Sequence, residues 1–342
     1  MSAALSAADA EYFPLPSQTR FDQLLEEVHA FQDKASETSS DFIIGGRAAS
    51  DSEFPATVAL VDAKGKAYCT GTLLTPSLVA TAAHCVFDLS YRGSPALKLF
   101  RAQQAPQAKA IEPEPFQQFS QDYLQQQLKA GIHLRIAGEN YFSVASDIAM
   151  AESWVSFSQS MANYHLFKQQ EFAVTANNVS DRALIKLNRK FEQVPILPMV
   201  SDAEVKAIHQ GDYLTAVQVG YGLRVDPNEV KANASSRKEY KKNLAAVMDE
   251  KYIVTLPINF VFLGEEGYRA GVGKPGKAAC FGDSGGPTYV QLSNQQWRYF
   301  ASLSRGVSSD AACGDSDPTL WPEHTSETIK QSTEFVDIWI KE

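Results

Sequence analysis

Short runs of apolar residues separated by Gly, Pro, Asn and Asp fill the chain from residue 43 onward. Runs of this length, bounded by turn-forming residues, predict β-strands, and a long succession of them favours β-barrels. The pattern therefore predicts an all-β fold. Representative runs are 58–61, 71–74, 78–82, 183–187, 214–219 and 299–303.

Two stretches have helical spacing instead. Over residues 19–34 the apolar side chains recur three and four positions apart, and Thr19 stands where it can cap the first turn. The polar residues 33–41 lack core-forming side chains and predict an exposed linker. A docked helix on a cleavable tether suits a propeptide, and the alternative is an N-terminal arm that is never removed. A second helix, predicted over about 325–341, carries Ile329, Val336, Trp339 and Ile340 on one face.

Composition and charge exclude several classes of function. Of the 342 residues 44% are hydrophobic and 21% charged, as in soluble globular proteins. The net charge of −9 disfavours nucleic acid as a partner, and no run of eighteen apolar residues exists to span a membrane. A basic cluster is interrupted by Glu239 and Tyr240 and is interpreted as a solvated face. Its members are Arg237, Lys238, Lys241 and Lys242.

Residues 280–287, Cys-Phe-Gly-Asp-Ser-Gly-Gly-Pro, carry the strongest chemical signal. A serine is a weak nucleophile unless a base lies beside it and hydrogen-bond donors face the developing charge. Glycines on both sides of Ser284 permit a tight turn with inward N–H groups. We therefore predict an oxyanion site formed by the N–H groups of Gly282 and Ser284, the alternative being an ordinary turn.

Other motifs place this loop in a family. Thr81-Ala-Ala-His-Cys85 resembles the general-base motif of chymotrypsin-like serine peptidases, and 181–187 resembles the strand that carries their buried aspartate. The order His84, Asp181, Ser284 is that of this family. Residues 43–46 resemble its mature N-terminus, and 219–222 resemble a Gly-Trp-Gly turn with tyrosine substituted. The resemblance covers about residues 43 to 342.

The resemblance implies an architecture: two six-stranded antiparallel Greek-key β-barrels with a C-terminal helix, preceded by a helical propeptide. The boundaries we predict are a propeptide over 1–42 and a peptidase domain over 43–342. Within the domain we expect a first barrel over about 43–200 with a long insertion over about 87–178, a second barrel over about 205–324, and the helix over about 325–341. The insertion is either without a catalytic role or a lid or partner site.

The family's roles are carried over motif by motif. His84 would take the Ser284 proton and return it to the leaving amine, and Asp181 would orient the imidazole. Asp147 lies in a similar Ser-Asp-Ile-Ala context and is the alternative aspartate. Asp181 is preferred because an apolar strand and a proline-rich crossover follow it. Ser304 would place a hydroxyl beside Asp181.

Activation and specificity follow from the same resemblance. Cleavage between Phe42 and Ile43 would create an α-amino group that pairs with Asp283, and an unpaired buried charge there would be costly. Because Phe42 is not basic, the activating enzyme is a peptidase that prefers large apolar residues, the protein itself, or none. An apolar pocket floor at Ala278 favours large apolar residues at the cleaved position. The further pocket positions are Ser304, Gly306 and Thr319, and Asp315 or Asp317 could reverse this preference.

Four cysteines match two family bridges, Cys69–Cys85 and Cys280–Cys313, the alternative being four reduced thiols. Two disulfides indicate an oxidising compartment, so the protein is predicted to be secreted or periplasmic. Residues 1–20 lack the basic start and apolar stretch of a signal peptide. We therefore expect that such a signal was trimmed.

No cofactor or metal is expected. Residues 271–278 match a phosphate-binding loop except at Ala278, which lacks the hydroxyl that would ligate magnesium. The sequence as a whole predicts a monomeric, secreted serine endopeptidase made as a zymogen, which forms an acyl-enzyme on Ser284. Its partners would be protein or peptide substrates and an activating peptidase. The alternative is a catalytically silent pseudoprotease that acts as a binding or regulatory module.

Overall fold

The computed structural model describes residues 18–32, 47–89, 93–104, 108–136, 141–168, 179–224, 231–246, 248–264, 267–273, 279–306, 334–338 and 340–341. The strands are β1 (Arg47–Ala48), β2 (Thr57–Val61), β3 (Ala67–Thr75), β4 (Leu78–Thr81), β5 (His133–Ile136), β6 (Tyr141–Met150), β7 (Ala183–Leu187), β8 (Val200–Ser201), β9 (Tyr213–Gly220), β10 (Tyr252–Thr255), β11 (Ile258–Gly264), β12 (Gly267–Val272), β13 (Pro287–Leu292), β14 (Trp297–Gly306), β15 (Glu334–Ile338) and β16 (Ile340–Lys341). The helices are α1 (Gln18–Gln32), α2 (Pro95–Gln103), α3 (Pro113–Ala130), α4 (Glu152–Phe167), α5 (Asp202–His209) and α6 (Arg237–Ala246), with a 3₁₀ turn at Ala83–Cys85.

Six strands close into an antiparallel barrel in the order β2–β3–β4–β7–β6–β5. Successive side chains of a strand point to opposite faces, and in β4 both faces are buried. Val79 belongs to the core that the barrel shares with the inserted helices, whereas Leu78 and Ala80 belong to a second core that contains α1. The barrel is therefore covered on both sides around β4.

Eight further strands, which include the two-residue β1, form one antiparallel sheet in the order β1–β10–β9–β13–β14–β15–β12–β11. The six-stranded second barrel predicted over about 205–324 is thus replaced, in the described residues, by a larger sheet that draws strands from outside that range. Arg47 of β1 pairs with Ile253 of β10, and β15 lies between β12 and β14. Only the first of the two predicted barrels is found as a closed barrel in this part of the chain.

The predicted C-terminal helix is wrong where the structure describes it, because Glu334–Ile338 is a strand and Ile340–Lys341 pairs with β8. Residues 325–333 lie outside the described part. The reason is local composition: Phe335, Val336 and Ile338 are aromatic or β-branched and favour strands. Hydrogen bonding to two neighbouring strands satisfies the backbone of this segment.

The stretch expected to be an insertion, about 87–178, contributes both barrel strands and extra helices. Strands β5 and β6 complete the barrel, so only the material around α2, α3 and α4 is additional. Helix α2 begins where Ser94 accepts a hydrogen bond from Leu97 N at 2.9 Å and Pro95 fixes the first turn. Its buried Phe100 packs at 4.7 Å between ring centroids on Phe119 of α3.

Helix α1 lies where the amphipathic pattern predicts a helix, and it packs on the barrel rather than standing apart. Phe21, Leu24 and Val28 are buried in one cluster with residues of the barrel and of the eight-stranded sheet. Among the helices that the structure describes, none has both the length and the hydropathy needed to cross a membrane.

Candidate active site

The segment that carries His84 is held in place from two directions. It leaves β4 and forms the 3₁₀ turn Ala83–Cys85, and the predicted disulfide joins Cys85 to Cys69 of β3. The backbone N–H of Ala83 donates to the carbonyl oxygen of Asp181 at 3.3 Å. A covalent tie and a backbone bond therefore fix the turn between two barrel strands.

His84 and Asp181 are in direct contact. The Nδ1 atom of His84 lies 2.7 Å from Oδ2 of Asp181, and the His84 backbone N–H donates to Oδ1 at 3.0 Å. Ser304 of β14 donates its hydroxyl to Oδ2 at 2.8 Å, so the hydroxyl expected beside Asp181 is there. The Asp181 side chain is only 5% exposed and that of His84 is 23% exposed. A buried carboxylate thus fixes the Nδ1 side of the His84 ring.

The two ionisation equilibria are coupled. Burial is the largest influence on the His84 pKa and lowers it, but the charge of Asp181 and the hydrogen bond to it raise the His84 pKa overall. Burial is also the largest influence on the Asp181 pKa, and it raises that pKa. The charge of His84 and the hydrogen bonds from His84 and Ser304 outweigh it and keep the Asp181 pKa below its ordinary value. The pair therefore favours a charged carboxylate and a more basic imidazole.

The loop that carries Ser284 is anchored to β3 by one residue, Thr70. Its backbone N–H donates to the Ser284 carbonyl oxygen at 2.9 Å, and its hydroxyl donates to the Gly282 carbonyl oxygen at 2.8 Å. The Sγ atom of Cys85 lies 3.6 Å from the Ser284 carbonyl oxygen. These contacts bring the predicted nucleophile next to the turn that carries His84.

The turn leaves two N–H groups for a ligand. Asp283 N donates to Cys280 O at 3.0 Å and Gly285 N donates to Leu303 O at 2.8 Å. The N–H groups of Gly282 and Ser284 have no acceptor within the described part of the chain. These are the two groups predicted to bind an oxyanion, and the pattern matches a preorganised donor pair.

Gly282 and Gly285 are required for this shape. Their φ angles are +98° and +78°, in the region that side chains rarely adopt. A Cβ atom on Gly285 would lie 2.1 Å from Thr81 Oγ1 and 2.6 Å from Ala82 N. The absence of a side chain therefore lets the Ser284 loop touch the segment that leads into His84.

Both carboxylate oxygens of Asp283 accept hydrogen bonds from backbone N–H groups. Its Oδ1 atom accepts from Gly222 N at 2.7 Å and Oδ2 accepts from Cys280 N at 2.8 Å. Desolvation is the largest influence and raises the Asp283 pKa to about 6, although both backbone bonds oppose it. A Cβ on Gly222 would lie 2.6 Å from Oδ1, so this glycine makes room for the carboxyl group. Its predicted partner Ile43 lies outside the described residues.

The alternative aspartate is engaged elsewhere. Asp147 of β6 accepts a hydrogen bond from Arg20 Nε at 2.8 Å and forms an ion pair with that guanidinium. Its strand lies beside β7, where Ile148 faces Ile185, but the contacts of His84 are with Asp181. The structure thus assigns the two similar motifs to different partners.

Several predicted positions stay untested. Ile43, Ala278, Cys313 and Thr319 lie outside the described residues. Cys280 is disulfide-bonded, and Gly306 pairs with Glu334 at the end of β14.

Sequence reasoning missed two residues of the site. Thr70 anchors the Ser284 loop, and the ring of Trp154 in α4 lies 6.2 Å from the His84 ring between centroids. Trp154 Nε1 donates to the Phe87 carbonyl oxygen at 2.7 Å, and the residue is 5% exposed. Thr70 could have been found from the sequence, because it directly follows Cys69 of the predicted bridge. No local sequence pattern marks Trp154.

Comparison with known proteins supports the site in part of the chain. The family model described as Trypsin matches residues 43–130, which include His84. A curated trypsin of Saccharopolyspora erythraea is 51% identical over 43 residues, which are 13% of this chain and 19% of that protein. The match thus spans about a fifth of the length of that relative.

Proposed function

We propose that this chain is a serine endopeptidase of the chymotrypsin-like family, a proposal supported by the Trypsin family model that matches residues 43–130. It hydrolyses peptide bonds through an acyl-enzyme on Ser284. The observation that carries the proposal is the bond between His84 Nδ1 and Asp181, 2.7 Å long, on a turn next to the Ser284 loop. A buried carboxylate that fixes one imidazole nitrogen is the arrangement that makes the other a general base.

The proposed reaction proceeds in two halves. In the first, Ser284 Oγ attacks the scissile carbonyl carbon while His84 Nε2 takes the hydroxyl proton, and the oxyanion accepts from Gly282 N and Ser284 N. His84 then gives the proton to the leaving amine as the C–N bond breaks, which leaves an ester on Ser284. In the second half, water attacks the ester with His84 as base and releases the acid and the free serine. Asp181 stays ionised throughout and stabilises the imidazolium.

Activation by cleavage between Phe42 and Ile43 is part of the proposal. Asp283 supports it, because its carboxyl group has backbone donors at Gly222 and Cys280 and a pKa raised to about 6 by desolvation. A new ammonium group at Ile43 would supply the missing positive charge. The proposed preference for large apolar residues rests on the absence of a carboxylate at Ala278, and secretion rests on the Cys69–Cys85 disulfide.

The test is labelling by a fluorophosphonate probe before and after limited chymotrypsin treatment, with N-terminal sequencing of the products. We expect labelling to appear together with a new Ile43 terminus and to vanish in Ser284→Ala. Ser293→Ala removes an exposed hydroxyl and is the matched control that keeps full labelling. A correct Ile43 terminus without labelling would instead favour the pseudoprotease.

A further inference from the structure

We infer that the α1 segment stays bound after activation, as a separate chain held without a covalent bond. The inference rests on the proposed cleavage before Ile43 and extends it, since a propeptide is usually expected to leave. The region that holds the helix, here called the α1 docking surface, comprises Leu74, Leu78, Ala149, Leu184, Leu197 and Met199.

The apolar contacts make α1 a core element. Phe21, Leu24 and Val28 are 3%, 0% and 0% exposed, at positions that place them on one face of the helix. They share one buried cluster with the α1 docking surface and with Val217 and Tyr289 of the eight-stranded sheet. Departure of α1 would expose apolar surface where the barrel and the sheet meet.

Polar groups at both ends of the helix are satisfied only while α1 is in place. Gln32, 5% exposed, donates Nε2–H to the Leu74 carbonyl oxygen at 2.8 Å and accepts from Met199 N at 3.0 Å. At the other end, Arg20 pairs with the buried carboxylate of Asp147. Loss of the helix would remove these partners, and unsatisfied buried groups are costly.

No disulfide can hold α1 on the rest of the chain after cleavage. All four cysteines follow Ile43, so a cut before Ile43 leaves residues 1–42 without a covalent link. The ten residues from 33 to 42 separate α1 from the cut. Because the cut separates this segment from Ile43, the new terminus can move toward Asp283 without pulling α1 away.

The experiment uses the full chain carrying Ser284→Ala, which prevents self-digestion, cut by limited chymotrypsin treatment between Phe42 and Ile43. Sequencing and mass spectrometry identify the cut, and native size-exclusion at decreasing concentration follows the two pieces. We expect the N-terminal piece to co-elute with the large piece in equal amounts. Elution of a folded large piece alone would overturn the inference.

Matched variants test the assigned contacts. Leu24→Ala should weaken retention of the fragment by at least about 30-fold, which corresponds to the lower end of the cost of truncating a buried leucine. Gln32→Ala should weaken it by about tenfold, whereas Gln23→Ala removes an exposed amide and should change it less than about twofold. Equal retention of the fragment in all three variants would show that the assigned contacts do not hold α1. The retention of α1 is measured by mass and elution and does not depend on activity. If the cleaved wild type is not labelled by the probe, the peptidase proposal is refuted, but a co-eluting α1 fragment still supports this inference.

Discussion

Replacing Asp283 by asparagine should change how stability depends on pH. Desolvation raises the pKa of this carboxyl group from an ordinary 3.8 to about 6, against the opposing effect of the N–H groups of Cys280 and Gly222. The folded protein therefore binds the Asp283 proton more tightly than the unfolded chain does. The protonated form stabilises the fold fully below pH 3.8, and this contribution is lost as pH rises through about 6.

The size of the effect follows from the shift. One pKa unit corresponds to about 1.4 kcal/mol, so a rise from 3.8 to about 6 is worth up to about 3 kcal/mol. The side-chain amide of the Asp283→Asn variant cannot titrate, but it would set a donor against the N–H of either Cys280 or Gly222 and so costs a constant amount at every pH. Relative to the wild type, the variant should therefore gain up to about 3 kcal/mol in free energy of unfolding between pH 4 and pH 7.

Urea unfolding of both proteins across this pH range, with the m-value monitored, measures the difference directly. Asp62→Asn removes an exposed carboxylate and is the control that should follow the wild-type profile. A difference between Asp283→Asn and wild type that is the same at pH 4 and pH 7 would refute the reasoning. After cleavage, the proposed Ile43 ammonium group should lower the Asp283 pKa and reverse the trend.

Three further predictions concern the site and its supports. Asp181→Asn should reduce kcat by on the order of 10⁴-fold, because the amide would hold His84 in the wrong tautomer. Because Asp181 raises the His84 pKa, the same variant should move the acid limb of the kcat/KM profile to lower pH. Ser304→Ala removes one donor to Asp181 but spares the contact with His84, so kcat should fall only about tenfold in the same peptide assay. Replacing both Cys69 and Cys85 by Ala opens a bridge across a separation of 16 residues and should lower the free energy of unfolding by about 3 kcal/mol in urea titrations.

The sequence predicted what local chemistry determines. The nucleophile loop depends on glycines at φ +98° and +78°, and the His84 turn depends on a bridge to Cys69, so both leave signatures in adjacent residues. The choice of Asp181 over Asp147 agrees with the contact to His84. The contact that occupies Asp147, with Arg20, lies 127 positions away and has no local signature.

Pairing between distant strands was beyond sequence reasoning. Arg47 of β1 pairs with Ile253, about two hundred residues later, and β15 lies between β14, which precedes it in the chain, and the more distant β12. A short apolar segment such as 334–338 fits helical and strand patterns alike, and only the available sheet edges decide between them. For this reason the predicted C-terminal helix is wrong in the part that the structure describes, and the described residues form an eight-stranded sheet and no closed second barrel.

The inserted helices α3 and α4 pack against the chain that follows His84. Phe87 stands three residues after His84, is fully buried, and packs against the rings of Phe116 and Tyr123 in α3. Its carbonyl oxygen accepts the hydrogen bond from Trp154 of α4, whose ring also lies near the His84 ring. The chain that follows the His84 turn is therefore held by both helices, while the disulfide holds the turn itself. If His84 is the proposed general base, its ring must be correctly placed, and we propose that α3 and α4 help to keep it there through these contacts.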